Sequence, residues 1–130
     1  MITFDPRNQA YYLLPDSMHE LSLALNIVEI ATEEMKKVDD GKILSIELEV
    51  GTLSGVVIDA LEFALEVTVK GTILEGARVD IHQIDARAIC NQCQQIFTVT
   101  DLFTPCPQCH SFDNRLIQGD ELRLKSLLIE

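Results

Sequence analysis

The spacing of four cysteines constrains the fold more than any other feature of this 130-residue sequence. Cys90 and Cys93 form one C-x2-C pair, Cys106 and Cys109 form a second, and twelve residues separate the pairs. Each pair can form a turn that points two sulfurs at one ion, and four thiolates around one ion favour tetrahedral zinc. The spacing therefore predicts a zinc ribbon with these four cysteines as ligands. Such a closed site is structural, because it has no open position for a reacting molecule.

Other interpretations of the cysteines explain less of the sequence. Iron bound by the same four thiolates is the main alternative. The segment from Cys106 to His110 has the C-x-x-C-H form of a c-type haem attachment motif, but that chemistry needs an export route and leaves Cys90 and Cys93 without a role. A thioredoxin-like redox pair would account for only one of the two pairs.

The charge of the chain excludes several classes of partner. Ten Lys and Arg against 21 Asp and Glu give a formal net charge of −11, which disfavours binding to nucleic acid or to an anionic membrane surface. No apolar run reaches the roughly 18 residues of a membrane span, and the N-terminus lacks the pattern of a signal peptide. We therefore expect a cytoplasmic protein. The sequence shows no recognisable pairing of a catalytic nucleophile with a general base and no phosphate-binding glycine loop. We therefore expect that the protein is not an enzyme.

Hydrophobic periodicity predicts two helices. The first covers residues 18–38 and turns one apolar face inward, formed by Leu21, Ala24, Leu25, Val28, Ala31 and Met35. The second covers residues 58–70, with Leu61, Ala64 and Leu65 facing inward. Both helices therefore need a sheet to pack against.

Alternation of apolar and polar residues predicts three strands. These lie at residues 43–50, around Val79 and Ile81, and near the C-terminus, where the inward residues are Leu122, Leu124 and Leu128. In the first strand the inward residues are Leu44, Ile46, Leu48 and Val50. Residues 95–99 have the composition of a short strand within the ribbon. Because sheet strands flank the cysteine segment on both sides, that segment is predicted to be an insertion.

The predicted fold class is α+β, with two helices on a small three-stranded sheet and an inserted zinc-ribbon module. We expect residues 18–86 and 117–130 to form one domain and residues 87–116 to form the ribbon. Residues 1–17 have no sustained period and are predicted to be a leader or a non-native extension outside the main fold.

A second candidate metal site lies at the start of the first helix. His19 follows Met18 and precedes Glu20. If the mature chain began at Met18, its α-amine, the amide nitrogen of His19 and the imidazole could chelate one ion in adjacent rings. A planar nitrogen set of this kind suits Ni(II) or Cu(II).

Several separated motifs resemble the HypA/HybF family. They are the start Met18-His19-Glu20-Leu21-Ser22, the Val50-Gly51 strand end, the cysteine pairs with Cys106-Pro107-Gln108-Cys109-His110, and Gln118-Gly119-Asp120-Glu121-Leu122-Arg123-Leu124. The resemblance covers residues 18–130 and implies a nickel-insertion accessory protein of [NiFe]-hydrogenase maturation. It implies nickel binding by His19, with Met18 and Glu20, and zinc binding by the four cysteines. It also implies a HypB-type GTPase and the hydrogenase large subunit as partners.

The sequence departs from the family pattern in three places. Seventeen residues precede Met18, so its nitrogen would be an amide rather than an amine. Val57 stands where some relatives have a carboxylate near the nickel, and Asp59 is the nearest substitute. Gln94 follows the first cysteine pair, where other relatives have histidine, which leaves His110 as the one histidine beside a pair. The rival hypothesis is a zinc-ribbon adaptor that docks protein partners and binds no second metal.

Overall fold

The computed structural model describes residues 11–12, 20–38, 41–101 and 103–130. Met18 and His19 of the predicted nickel site therefore lie outside the described residues. The described part contains two helices and seven strands, in the order β1 (Tyr11–Tyr12), α1 (Glu20–Met35), β2 (Ile43–Gly51), α2 (Ile58–Thr68), β3 (Arg78–Ile84), β4 (Arg87–Cys90), β5 (Ile96–Thr98), β6 (Asn114–Gln118) and β7 (Leu122–Ile129).

The first sheet contains the three predicted strands and one short addition. Its order is β1-β7-β2-β3. Strand β2 pairs in parallel with β3 and antiparallel with β7, and α2 lies in the connection between the two parallel strands, as a parallel crossover requires. Tyr11 and Tyr12, from the segment predicted to be a leader, pair with Leu124 and Arg123 at the outer edge of β7.

Both helices contribute to one hydrophobic core with this sheet. The core, which we call the sheet–helix core, consists of Leu23, Ala24, Ile27, Ala31, Ile43, Ile46, Leu48, Val50, Leu61, Ala64, Leu65, Leu74, Leu122, Leu124, Leu127 and Ile129. The predicted inward residues of α2 are all in it. The polar residues that alternate with the core residues of β2 face the other side, where Arg123 pairs with Glu49 and Ser126 donates to Glu47 over 2.8 Å.

The predicted inward face of α1 was partly wrong. Leu21 and Leu25 are 52% and 55% exposed, whereas Leu23 and Ile27 are buried. The sequence of this helix places an apolar residue at nearly every second position, so two faces compete for the core. Packing selects the face of Leu23, Ile27 and Ala31, whose i, i+4 spacing keeps it in line along the helix.

In two strands, some of the predicted inward residues were wrong because the pairing register shifts within the strand. Glu47 and Leu48 of β2 pair with Ser126 and Leu124 of β7, so Lys125 of β7 has no opposite residue in β2. One extra residue of this kind shifts the alternation, and Leu127 and Ile129 are buried in place of the predicted Leu128. A similar shift at the start of β2 buries Ile43 rather than Leu44.

The second sheet is inserted between β3 and β7. It has the antiparallel order β5-β4-β6, and β5 confirms the short strand predicted at residues 95–99. A small core, which we call the ribbon core, consists of Ala86, Ala88, Cys90, Phe97, Val99 and Cys106. Among the described residues, no helix is long and apolar enough to cross a membrane.

Candidate metal centre

The two cysteine pairs form the same turn twice. The N–H of Gln94 donates to the carbonyl of Cys90 over 2.9 Å, and the N–H of His110 donates to the carbonyl of Cys106 over 2.8 Å. Gln94 and His110 both adopt the left-handed backbone conformation, with φ of 66° and 64°. We call residues 90–94 the first knuckle and residues 106–110 the second knuckle. Their common geometry means that each presents its two sulfurs in the same way.

The four sulfurs converge on one point. The Sγ atoms of Cys90 and Cys109 are 3.5 Å apart, those of Cys93 and Cys106 are 3.6 Å apart, and all four lie within 4.8 Å of one another. Zinc–sulfur bonds of about 2.3 Å in a tetrahedron place neighbouring sulfurs about 3.8 Å apart, whereas a disulfide needs about 2.05 Å. The donor set and its spacing therefore fit a four-thiolate metal site and not a pair of disulfides.

Backbone hydrogen bonds favour the thiolate form of the first cysteine in each knuckle. The N–H of Cys109 donates to the Cys106 sulfur and is the main reason that the pKa of Cys106 falls to about 7. The N–H of Cys93 lowers the pKa of Cys90 in the same way. Each knuckle thus stabilises negative charge on its buried sulfur, which is the state that ligates a metal.

The second cysteine in each knuckle retains its proton more strongly. The N–H of Gln95 lowers the pKa of Cys93, but burial and the neighbouring Cys106 sulfur outweigh it and raise the pKa to about 12. The pKa of Cys109 is also raised. Four thiolates cannot all ionise side by side without a cation, so a divalent ion is the natural partner of this cluster.

Asp113 forms contacts with the first knuckle that the sequence did not suggest. Its two carboxylate oxygens accept from Asn91 Nδ2 over 3.0 Å and from Gln92 Nε2 over 2.9 Å. These two amides lower the pKa of Asp113. Both donors lie inside the first C-x2-C turn, and two amide side chains at those positions were the one available signal that an acceptor was needed.

The start of α1 contacts the start of α2. Glu20 Oε1 accepts from the N–H of Val57 over 3.4 Å, and Val57 is the N-cap residue of α2. Glu20 thus lies beside Val57, the position at which the family resemblance led us to expect a carboxylate. Asp59, the suggested substitute, is exposed in the first turn of α2.

The two remaining histidines lie elsewhere. His82 Nε2 is 3.8 Å from Glu47 Oε1 on the polar side of the first sheet, and His110 is exposed at the end of the second knuckle. Among the described residues, the one cluster of three or more His, Cys, Asp or Glu side chains suited to an ion is that of the four cysteines.

Two of the sequence motifs meet where the sheets join. The N–H of Gly51 donates to the carbonyl of Glu121 over 2.7 Å, and the N–H of Leu53 donates to the carbonyl of Gly119 over 2.8 Å. A Cβ atom on Gly51 would lie 2.0 Å from the Gly119 oxygen, and one on Gly119 would lie 2.2 Å from the Cα of Ala86. Glycine is therefore required at both positions by the close approach of three backbone segments.

Comparison with known proteins agrees with this architecture. A family model described as "Hydrogenase/urease nickel incorporation, metallochaperone, hypA" matches residues 18–129. The hydrogenase maturation factor HypA of Parabacteroides distasonis is 44% identical over 113 residues, which are 87% of this chain and 98% of that protein. The factor of the same name from Geobacter sulfurreducens is 42% identical over 87% of this chain and its own full length.

Solved structures show the same fold. The solution structure of the Ni metallochaperone HypA from Helicobacter pylori has a TM-score of 0.58 and 27% identity, and the match covers 85% of this chain and 96% of that chain. A second solution structure, of a HypA protein, has a TM-score of 0.64 and 27% identity over 87% of this chain and 97% of that one.

The fold and the four-sulfur cluster together define a small α+β protein with a metal-binding ribbon. The family match, over residues 18–129, includes both helices and strands β2 to β7. The chain belongs to the HypA family of nickel metallochaperones for hydrogenase maturation, which confirms the family that the sequence motifs predicted.

Proposed function

We propose that this protein carries Ni(II) to a [NiFe]-hydrogenase during maturation and holds a structural zinc ion in Cys90, Cys93, Cys106 and Cys109. The observation that supports it best is the four-sulfur cluster within a chain that matches the nickel-incorporation family from Met18 onward. Zinc is the resident ion and nickel is the cargo. The protein itself catalyses no reaction.

Zinc suits the cysteine cluster because of its ligands and their number. Soft thiolates select zinc over harder divalent ions, and four of them complete its tetrahedral shell. When bound, zinc supplies a cross-link between the two knuckles. We assign the ribbon to residues 87–116 and the nickel-binding domain to residues 18–86 and 117–130.

Nickel requires a different kind of site, because a cargo ion must also be released. We assign it to His19 with Met18 and Glu20, at the N-terminal end of α1. Glu20 accepts a hydrogen bond from the N–H of Val57, the N-cap residue of α2, where the partial positive charge of a helix N-terminus stabilises a carboxylate. Glu20 is next in sequence to His19, so its carboxylate is assigned as a ligand together with the imidazole.

The proposal includes the partners and the compartment. We propose that a HypB-type GTPase and the hydrogenase large subunit bind this protein in the cytoplasm. The strongly acidic composition favours protein partners with basic surfaces over nucleic acid or an anionic membrane.

Isothermal titration with Ni(II) tests the cargo site. A chain beginning at Met18 has a free amine beside the amide and imidazole of His19, so it should bind nickel more tightly than the 130-residue chain and give a planar, nitrogen-rich absorption spectrum. His19→Ala should abolish binding in the shorter chain and leave its zinc content unchanged. His82→Ala, which removes a histidine from the sheet, serves as the matched control and should bind nickel as before.

The outcomes separate the proposal from its rival. Equal affinities and identical spectra for the two lengths would mean that the amine is not a ligand and that His19 acts with side chains such as Glu20. Elemental analysis that finds zinc but no nickel in either chain, after one equivalent of Ni(II), would instead support a zinc-ribbon adaptor.

A further inference from the structure

The two knuckles share a backbone geometry but are stiffened in different ways. In the second knuckle, Pro107 lies between the cysteines and its ring fixes the backbone φ angle. In the first knuckle the corresponding positions are Asn91 and Gln92, which have no such restriction. The first knuckle therefore needs another source of rigidity.

Asp113 supplies it through three hydrogen bonds. Each of its carboxylate oxygens accepts from one amide of the knuckle, Asn91 or Gln92, over 3.0 and 2.9 Å. Its carbonyl accepts from the backbone N–H of Asn91 over 2.9 Å. Asp113 itself is held by a hydrogen bond from its N–H to Ser111 Oγ over 3.0 Å.

The place of Asp113 in the chain makes these contacts a bridge between the knuckles. Asp113 lies four residues after Cys109 and directly before β6, whose first residue, Asn114, pairs with Cys90. The hydrogen bonds thus tie the residues between Cys90 and Cys93 to the segment that leaves the second knuckle. Opening the first knuckle would require breaking them.

We propose that Asp113 is a positioning residue for the zinc site: it holds the first knuckle closed and so slows the loss of the ion. The inference rests on the proposed zinc occupancy of the four cysteines. Asp113 acts through Asn91 and Gln92, not on the ion. Its negative charge would gain nothing from an ion already surrounded by four thiolates, whereas its two oxygens match the two amide donors.

The state of the carboxylate agrees with this role. The amides of Asn91 and Gln92 lower the pKa of Asp113, so it is ionised and accepts on both oxygens at neutral pH. An asparagine at this position would direct its own NH2 group toward one of the two donors and lose that hydrogen bond.

The test is the rate at which the zinc-loaded, full-length protein transfers its ion to a chromogenic chelator at pH 7. Asp113→Asn should transfer zinc about 10-fold faster, the lower end of the effect of removing partners that support metal ligands. Asp101→Asn is the matched control. Among the described residues, the Asp101 carboxylate accepts from Phe103 and Thr104 of its own turn, so the rate of this variant should equal that of the wild type.

A second variant keeps the test independent of any folding defect at Asp113. The double substitution Asn91→Ala with Gln92→Ala removes both amide donors and should raise the rate at least as much. Adding Asp113→Asn to it should cause no further increase, because the same contacts are already gone. Asp113→Glu, which keeps both acceptor oxygens, should restore most of the slow release. The Co(II)-substituted forms of all variants should keep the tetrahedral thiolate spectrum of the wild type.

Three results would overturn the inference. These are equal rates for Asp113→Asn and the wild type, an equal rise in Asp101→Asn, or additive effects of the knuckle and Asp113 substitutions. A wild-type protein that retains no zinc after purification would instead refute the proposed zinc site itself, so the two failures are distinguishable.

Discussion

The two hydrophobic cores of this molecule differ in size and in what fills them. Among the described residues, the sheet–helix core contains sixteen buried apolar side chains from both helices, the first sheet and the segment before β3. The ribbon core contains six, and two of them are the cysteines Cys90 and Cys106. The ribbon also leaves large apolar side chains in solvent, with Phe103 and Phe112 exposed by 79% and 71%.

This difference shows how the two parts are stabilised. The free energy gained by hydrophobic burial scales with the apolar area removed from water. Because sixteen apolar side chains are buried in the sheet–helix core, that core can support its own fold. The ribbon orders more than twenty residues around six buried side chains, which is too little to offset the loss of chain entropy. The metal ion proposed for the four cysteines would cross-link both knuckles and provide the missing free energy.

The largest expected effect comes from breaking the metal site. Cys106→Ser removes a buried sulfur ligand and with it most of the roughly 10 to 16 kcal/mol that a structural zinc ion contributes to folding. Hydrogen exchange should show β4, β5 and β6 losing protection while α1 and β2 keep theirs. Chelation of zinc from the wild type should reproduce the pattern. Full protection of the ribbon in the metal-free protein would contradict the comparison.

A substitution in the sheet–helix core should lower the stability of that core and leave the ribbon unchanged. Leu48 is 1% exposed in the centre of the sheet–helix core, so Leu48→Ala should lower the free energy of unfolding of that core by about 2 to 5 kcal/mol. Denaturant unfolding, followed by the circular dichroism of the helices, measures the decrease in the free energy of unfolding. The zinc content should stay at one ion per chain. Leu25→Ala, at an exposed apolar position of α1, is the control and should have little effect. Loss of zinc in Leu48→Ala would mean that the two cores are not independent.

The parts of the fold that could be predicted from the sequence are those whose pattern lies within one short segment of the chain. The two helices and the three longer strands of the first sheet, β2, β3 and β7, each have a periodic pattern in their own residues, and all five were predicted. The inward face of α1 and the register shift in β7 depend on which of two apolar faces packs better, and packing is not visible in one segment. The pairing of Tyr11 with Leu124 joins residues over a hundred positions apart, and no local pattern indicates it.

The residues of the candidate site also fall into those that a local pattern predicted and those that it did not. The four cysteines were predicted because a metal ion dictates their spacing. Asp113 was not, because a supporting carboxylate has no fixed spacing from the knuckle it contacts. The assignment of His19 remains a prediction, since it lies outside the described residues.

The junction between the cores offers a smaller and more selective perturbation. A Cβ atom on Gly119 would lie 2.2 Å from the Cα of Ala86 and 2.4 Å from its Cβ, and the φ of Gly119 is +113°. Gly119→Ala should therefore force the two segments apart, at a cost of about 1 to 3 kcal/mol.

Exchange at residues near the junction reports this change. The amides of Leu53 and Ala86 should exchange faster, while zinc content and the melting of α1 change little. Gly76→Ala is the control for positive φ alone, because Gly76 has a φ of +83° but a Cβ there would meet nothing within 4 Å. An equal effect of the two substitutions would show that strain in the backbone, and not contact between the segments, is what matters at Gly119.

The smallest expected effect tests whether the two knuckles are equivalent within the weaker core. Gln94 and His110 both adopt the left-handed conformation, which costs a residue with a Cβ about 1 to 2 kcal/mol and glycine nothing, although glycine loses more entropy on folding. Gln94→Gly and His110→Gly should each therefore stabilise the ribbon by up to about 1 kcal/mol, measured as slower exchange of the β4 and β6 amides in the zinc-loaded protein. Gln108→Gly, at a position in the second knuckle without positive φ, should destabilise it by a similar amount. A loss of protection in His110→Gly alone would mean that its side chain supports the site, and that the knuckles are equivalent only in their backbone.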